Sequence, residues 1–327
     1  MNAPQPGNGV PEPHNWGRWG PADERGTLNL LTPEAVKTAA GCVLDGRVLP
    51  LAMPIKGSTS GPAAATVPHL PHRPLPQHFM SVDGGDYAAG SRPVGPGLCL
   101  SDDALVLSPH GTTTHLDALC HVWAGDRLYN GHPATRVRSY GATRCGIDNV
   151  GAVVARGILL DVARHRGVPH LDGEDRVGPD ELARCAAEQG VDPGPGDVVL
   201  VRTGWPAVFA AEPQRYYQPQ PGLSFPAGRW LAARDIAVIG ADNAAIAGLD
   251  EVGRFAEPLE EDLHLLFLWR HGIHMLEMLW LEELAATRRA EFLFILAPLV
   301  VSGGTASPVT SATCPSSSRP VIARRAG

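Results

Sequence analysis

The chain has 327 residues, which allows one large domain or two ordinary ones. Its formal net charge is −7, from 27 Lys and Arg against 34 Asp and Glu, so no basic surplus favours a nucleic-acid partner. The longest apolar run, 292–301, is interrupted by Pro298 and is too short to span a bilayer, which argues against a membrane partner. Six scattered cysteines without a CxxC pair are typical of reduced thiols, so we expect a soluble, cytoplasmic protein.

The two ends of the chain and one internal segment lack regular patterns. Residues 1–15 are polar and rich in proline, without the apolar stretch of a signal peptide, and we expect a flexible leader there. Residues 57–99 are rich in Pro, Gly and His, which is typical of a long functional loop. Ser, Thr, Pro and Arg dominate 309–327, which predicts a poorly ordered C-terminal tail.

Strand and helix patterns alternate over the rest of the chain. Thr32 is placed to cap a helix that Pro33 opens, and Gly190 is placed to end another. The pattern predicts strands over 104–107, 151–161, 197–202, 236–240, 273–279 and 292–300, and helices over 179–189, 229–234, 263–271 and 281–288. This alternation, without internal repeats, favours one α/β domain over an all-β sandwich.

Three common catalytic signatures are missing from the sequence. There is no GxGxxG after a strand, no GxxxxGK[ST] and no GxSxG. The chain therefore offers no dinucleotide fingerprint, phosphate-binding loop or serine-hydrolase elbow.

A histidine-rich segment, SPHGTTTHLDALCHVW at 108–123, carries the first candidate chemistry. It contains His110, His115, Asp117 and His121. In an extended chain His115 and Asp117 share one face, so an imidazole and a carboxylate can converge on one cation. His121 is near enough in sequence to reach the same place if the chain bends. The alternative is that each histidine is separately a surface residue or a satisfied core residue.

A second candidate segment, 262–279, is largely apolar. His264 lies early in its predicted helix, after the capping residue Asp262, and Glu277 lies in its predicted strand. A carboxylate among apolar neighbours is costly to bury unless it is paired or bound to a metal. The alternative for Glu277 is a salt bridge to an arginine. Histidine and carboxylate ligands without cysteine suit Zn²⁺ or Mn²⁺, and the ligand set does not choose between them.

The sequence resembles the metal-dependent cyclase family that includes bacterial kynurenine formamidase and isatin hydrolase. The family motif His-x-Gly-Thr-His-x-Asp-x-x-x-His is matched by Thr114 to Asp117 and by His121. Further matches are NWGRWG and DERGTLN near the start, GILLDVAR at 157–164, PGDVVLVRTGW at 195–205, IAVIGADN at 236–243 and GGTASP at 303–308. The resemblance suggests the longer bacterial branch and one cyclase-like domain over 16–308.

The resemblance implies a role for each residue of the two segments. His115 and Asp117 would be metal ligands, with Asp117 able to bridge two ions, and His264 and Glu277 would be the later ligands. His121 would be the proton donor and acceptor. The family's first histidine falls at Gly111 in this chain. Either a one-residue bulge lets His110 bind in its place, or that ligand is missing and a second ion is in doubt.

The resemblance also implies a fold, an assembly and an activity. The fold would be a barrel-like mixed β core flanked by helices, and the assembly a homodimer or homotetramer. One or two Zn²⁺ or Mn²⁺ ions would activate water to hydrolyse a non-peptidic amide, an aryl formamide or a cyclic amide, in a small-molecule substrate. The alternative is a non-catalytic, metal-stabilised binding or structural member. Candidate substrate-binding residues are Trp16, Trp19 and His78, although a tryptophan packed in the core is at least as good an interpretation of Trp16 and Trp19.

Overall fold

The structure, a computed structural model, describes residues 13–55, 68–70, 73–217, 219–250, 254 and 258–315. The chain divides into two compact units. The larger unit is formed by Met1–Ala52 and Thr114–Gly327, and the smaller unit by Met53–Thr113. Most of the expected leader and residues 316–327 of the expected tail lie outside the described residues.

Short strands and helices alternate along the described chain. The strands are β1 (Leu49–Pro50), β2 (Gln77–Val82), β3 (Asp102–Val106), β4 (His115–Asp117), β5 (Val137–Arg138), β6 (Gly141–Ala142), β7 (Val153–Asp161), β8 (Arg176–Val177), β9 (Val198–Arg202), β10 (Gly222–Leu223), β11 (Val238–Ala241), β12 (His274–Glu277), β13 (Glu291–Leu296), β14 (Ala306–Pro308) and β15 (Ala312–Pro315). The α-helices are α1 (Pro33–Ala40), α2 (Gly84–Ala88), α3 (Val162–His165), α4 (Pro179–Gln189), α5 (Pro206–Ala211), α6 (Phe225–Ala232) and α7 (Glu282–Ala286). A π-helix spans Leu265–His271, and 3₁₀ turns span Gly26–Leu30, Tyr129–Gly131, Ala134–Arg136, Ile147–Asn149, Pro213–Arg215 and Leu259–Glu261.

A nine-stranded mixed sheet, curled as a half barrel, forms the centre of the larger unit. Its strand order is β1-β15-β13-β7-β9-β11-β12-β4-β14. The strands β7, β9, β11 and β12 run parallel, and the outer strands pair antiparallel. Every residue of β9 is buried, as expected for a parallel strand covered on both faces. The helices α1 and α4 pack against β7, and α3 packs against β9. The predicted α/β fold, with a barrel-like core flanked by helices, is confirmed.

Local signals set several helix boundaries as predicted. The Thr32 side chain accepts a hydrogen bond from Ala35 N at the start of α1, with Pro33 in the first turn. Gly190 ends α4 in the left-handed conformation, with φ of 69°. The carboxylate of Asp262 accepts from Leu265 N, so the predicted cap of the next helix is confirmed. That helix is π-helical over Leu265–His271, however, and its wider turns are not encoded by a simple apolar period.

Two segments are more regular than the sequence predicted. The expected loop 57–99 contains β2 and α2, and β2 pairs with β3 in the smaller unit. Both strands are largely exposed, so they lack the alternating pattern that marks a strand with one buried face. The expected tail begins with an ordered part, because β15 pairs with β13 and β1 inside the sheet. None of the described helices has both the length and the apolarity needed to cross a membrane.

Candidate metal centre

Two paired strands of the larger unit place three polar side chains together. The strand β4 carries His115 and Asp117 on one face, while Leu116 between them is fully buried on the other. The strand β12 runs antiparallel to β4, with Glu277 directly opposite His115. Directly opposed residues on one face of an antiparallel pair lie close enough to interact. The pairing of β4 with β12 therefore brings the two predicted segments to one site.

The distances between these three side chains are short enough for them to bind one cation together. One ligand atom from each of His115, Asp117 and Glu277 lies within 4.8 Å of the others. The Nε2 atom of His115 is 3.5 Å from Asp117 Oδ1 and 3.5 Å from Glu277 Oε2. On the other side of Glu277, Oε1 is 3.3 Å from His264 Nε2. The ion-pair partners of Glu277 in the described chain are thus two histidines, and not the arginine of the alternative interpretation.

Burying these charged side chains together costs free energy. His115 and Asp117 are fully buried, and Glu277 is 5% exposed. Two ionised carboxylates buried side by side are stable only with compensating positive charge. Imidazole nitrogen and carboxylate oxygen are suitable ligands of Zn²⁺ and also of Mn²⁺. The donor set and its burial therefore fit a divalent cation.

The carboxylates around His264 favour its protonated form. Burial lowers its pKa, but the hydrogen bond to Glu277 and the negative charges of Glu277, Asp262 and Asp117 outweigh burial and raise the pKa to about 9. At neutral pH the metal-free site therefore holds a proton on His264 in place of a metal charge. A bound cation would compete with that proton.

Supporting contacts fix the backbone on both sides of the site. His274, on β12, has its Nδ1 atom 2.8 Å from the backbone oxygen of Asp117. Burial lowers the pKa of His274 to about 4, so its imidazole is neutral. Met278 follows Glu277 with φ of 57°, and its oxygen accepts from Thr114 Oγ1 while its nitrogen donates to Asn243 O. The supporting roles of Met278 and Asn243 were not predictable from the sequence, because no local pattern encodes long-range backbone contacts.

His121 lies beside the site, on the chain that follows β4. A ring nitrogen of His121 lies within 4.8 Å of a carboxylate oxygen of Asp117. Its ring centroid is 6.1 Å from that of His264, and the rings are inclined at 62°. His121 is partly buried, whereas His115 and Asp117 are fully buried. Its predicted role in proton transfer stays a prediction.

His110 belongs to the smaller unit, and its role as a ligand also stays a prediction. The next residue, Gly111, has φ of 70°, the left-handed conformation that a bulge of the predicted kind often needs. A Cβ atom at Gly111 would lie 2.8 Å from Leu70 Cβ, so any larger residue at this position would clash with Leu70. The backbone oxygen of Gly111 accepts from Leu70 N.

The three candidate substrate-binding residues have other contacts in the structure. Trp16 packs edge-on against Trp269 and donates its indole N–H to the backbone oxygen of that residue. The guanidinium of Arg18 lies over the ring of Trp19. His78 lies on the exposed strand β2, 2.6 Å from an oxygen of Asp103. The contacts of Trp16 are those of a packing residue, and a substrate role for Trp16, Trp19 and His78 stays a prediction.

Comparisons with known proteins agree with the resemblance in the sequence. The family model Cyclase, described as "putative cyclase", matches residues 49–247. The crystal structure of a novel cyclase is 31% identical, with a TM-score of 0.81, and the match covers 92% of this chain and 99% of that chain. No curated protein matches the chain.

Two isatin hydrolase structures share the fold at lower identity. One, bound to the product analogue thioisatinate, is 19% identical with a TM-score of 0.57, and the match covers 87% of this chain and 97% of that chain. The other, isatin hydrolase A from Labrenzia aggregata bound to benzyl benzoate, is 21% identical with a TM-score of 0.57, covering 84% and 94%. The match to the family model spans more than half of the chain and includes His115, Asp117 and His121. The chain therefore belongs to the cyclase family.

Proposed function

We propose that this protein is a metal-dependent hydrolase of a non-peptidic amide, either an aryl formamide or a cyclic amide. The observation that carries the proposal is the convergence of His115, Asp117 and Glu277 in a buried site of a cyclase-family protein. Fold neighbours that are named isatin hydrolases support the hydrolytic class, since isatin is a cyclic amide.

The residues of the site have distinct roles in this proposal. His115, Asp117 and Glu277 would hold the ion, and His264 would either join them or orient Glu277 through their 3.3 Å contact. A divalent cation supplies Lewis acidity, which lowers the pKa of a water to about 7 and polarises a carbonyl group. Zn²⁺ and Mn²⁺ both suit these ligands.

His121 is the group proposed to move the proton. It lies next to Asp117, and it is less buried than the proposed ligands. An imidazole with a pKa near neutrality can accept a proton from water and donate it to a departing nitrogen. Hydrolysis of an amide requires both transfers, because the nitrogen leaves as a neutral amine only after it is protonated.

A substrate screen tests the proposed function. Chelator-treated protein is reconstituted with Zn²⁺ or Mn²⁺ and assayed with aryl formamides, lactams and, for comparison, lactones. We expect amide hydrolysis that disappears on chelation and returns with metal. Stoichiometric metal binding without turnover of any amide would instead support the alternative, a non-catalytic metal-stabilised member of the family.

The contribution of His110 is tested separately by metal titration. We propose that the turn at Gly111 lets His110 act as a further ligand. His110→Ala should then lower the affinity or the number of bound ions per chain. Unchanged stoichiometry and affinity would show that His110 is not a ligand.

A further inference from the structure

A cavity of about 290 Å³ lies against helix α6 of the larger unit, and none of the proposed metal ligands lines it. Its lining residues are Pro13, Pro226, Arg229, Trp230, Ala233 and His271. Its volume lies just below the range of about 300–1,000 Å³ that is typical of small-molecule sites. Two prolines, an alanine and a tryptophan give it largely apolar walls, beside two nitrogen-rich side chains.

The polar side chains of this cavity have unused hydrogen-bonding capacity. His271 is only 5% exposed, and no hydrogen bond to its imidazole is found among the described residues. Arg229 is exposed, and no carboxylate of the described chain forms an ion pair with it. His271 lines the cavity, so its ring N–H can donate a hydrogen bond to a group bound there.

Other charges near the cavity are mainly positive. Arg270 is 8% exposed, and among the described residues it makes one side-chain hydrogen bond, from Nη2 to the oxygen of Glu260, while its buried Nε has no hydrogen-bond partner there. Burial and the charge of Arg229 lower the pKa of Arg270. Arg234 adds a guanidinium 3.5 Å from the ring centre of Trp230.

Two acidic groups that act on His271 and Arg270, Asp235 and Asp262, have other partners. Asp235 forms a two-pronged ion pair with Arg18, at 2.5 and 3.0 Å, and Asp262 caps the π-helix. Burial and the charge of Arg270 lower the pKa of His271 to about 4, so the imidazole is neutral and offers one N–H. The cavity therefore combines one exposed guanidinium, one neutral donor and apolar walls in a positive field.

We propose that this cavity binds a small carboxylate with an apolar body. The guanidinium of Arg229 would pair with the carboxylate, His271 would donate a hydrogen bond, and the apolar part would lie against Trp230 and the prolines. A guanidinium binds a carboxylate through two parallel hydrogen bonds, which gives this pairing its geometry. The proposal uses no metal ligand and stands apart from the proposed hydrolysis.

Calorimetry with a matched pair of probes tests the proposal on the full chain. Phenylacetate carries the required charge, and phenylacetamide has the same shape without it. We expect saturable binding of one phenylacetate per chain, equal in metal-loaded and chelator-treated protein, and no detectable binding of phenylacetamide. Binding of inorganic phosphate without phenylacetate, equal binding of both probes, or binding that requires the metal would overturn the proposal.

Three variants test whether phenylacetate binds in this cavity. Arg229→Gln should weaken phenylacetate binding about tenfold or more, since a hydrogen bond to a charged group contributes about 1.5–3 kcal/mol. His271→Leu should weaken it about three- to tenfold. Arg184→Gln removes the same charge from the exposed face of α4 and should leave the affinity unchanged. Thermal unfolding of each variant confirms that it is folded. Equal affinity of Arg229→Gln and Arg184→Gln would contradict the assignment.

Discussion

Two buried carboxylate groups lie at the ends of neighbouring parallel strands, and their surroundings differ. Asp242 follows β11, and its oxygens accept from Thr203 N at 2.9 Å, Thr203 Oγ1 at 2.6 Å and Gly204 N at 2.8 Å. Glu277 ends β12, and it faces the imidazoles of His115 and His264. One carboxylate accepts hydrogen bonds from neutral donors, and the other faces imidazoles, which can hold a proton or, once deprotonated, bind a metal.

This difference separates a carboxylate that supports the fold from one that we propose binds a metal. Burial raises the pKa of Asp242 to about 6, although its hydrogen bonds to Thr203 oppose the shift. The residue holds the turn after β9 by accepting three hydrogen bonds from Thr203 and Gly204. At the metal centre the second carboxylate, Asp117, adds negative charge that neutral donors would not compensate. Burial of a carboxylate does not by itself identify a metal site. The side chains that face the carboxylate are what distinguish such a site.

The largest expected effect comes from removing one negative charge at the metal centre. Asp117→Asn keeps the shape of the side chain but loses the charged ligand, so metal binding and amide hydrolysis should both fall to background. Asp242→Asn is the matched control, and it should keep its metal. Metal content by mass spectrometry and turnover by absorbance check both. Equal metal loss in the two variants would remove the distinction between the two carboxylate groups.

A smaller loss is expected at His121, which we propose transfers the proton and does not hold the ion. His121→Ala should lower the turnover rate about 10²- to 10⁴-fold, the usual contribution of a general acid or base, while the metal stays bound. Steady-state kinetics and metal analysis of the same sample test this. Loss of metal together with activity would reassign His121 as a ligand.

The structural carboxylate should affect stability and not metal binding. Asp242→Ala leaves three buried donors of Thr203 and Gly204 without an acceptor, each costing about 1–3 kcal/mol. The free energy of unfolding should fall by about 3 kcal/mol or more, measured by urea denaturation, with unchanged metal stoichiometry in the folded protein. A stable variant that loses its metal would show that Asp242 belongs to the metal centre.

The most modest effect is a pH dependence of the metal-free protein. The pKa of His264 is raised to about 9 in the folded chain, above the ordinary value of 6.5, so the folded state binds more protons between these values. Its contribution is complete below about pH 6.5 and is lost as the pH rises through about 9. Urea denaturation of chelator-treated protein should show this loss, and His264→Gln should abolish it. An identical pH profile in the variant would show that His264 does not hold the proton.

Much of the fold was predictable because its signals are local. The cap at Thr32, the stop at Gly190 and the continuous apolar run of β9 each depend on a few adjacent residues. The strands β2 and β15 were missed for a different reason. One is exposed on both faces, and the other lies in a segment whose composition is typical of disorder. Only pairing with a distant strand identifies them.

The candidate site was predictable in part for the same reason. The alternation of His115 and Asp117 along one strand is local, and a carboxylate at Glu277 in an apolar strand is conspicuous. That His115 stands opposite Glu277 follows from the register of β4 with β12, which no local pattern encodes. The left-handed backbone of Met278 could not be predicted from the sequence either, because methionine does not favour that conformation.

The most direct test of the central claim is the position of the metal in crystals of the wild-type protein grown with Mn²⁺ or Zn²⁺. We predict an anomalous-difference peak between His115, Asp117 and Glu277, about 2.0–2.2 Å from their nitrogen and oxygen atoms. The peak should be missing from Asp117→Asn crystals grown in the same way. An active protein whose metal lies elsewhere, or that binds none, would contradict the account.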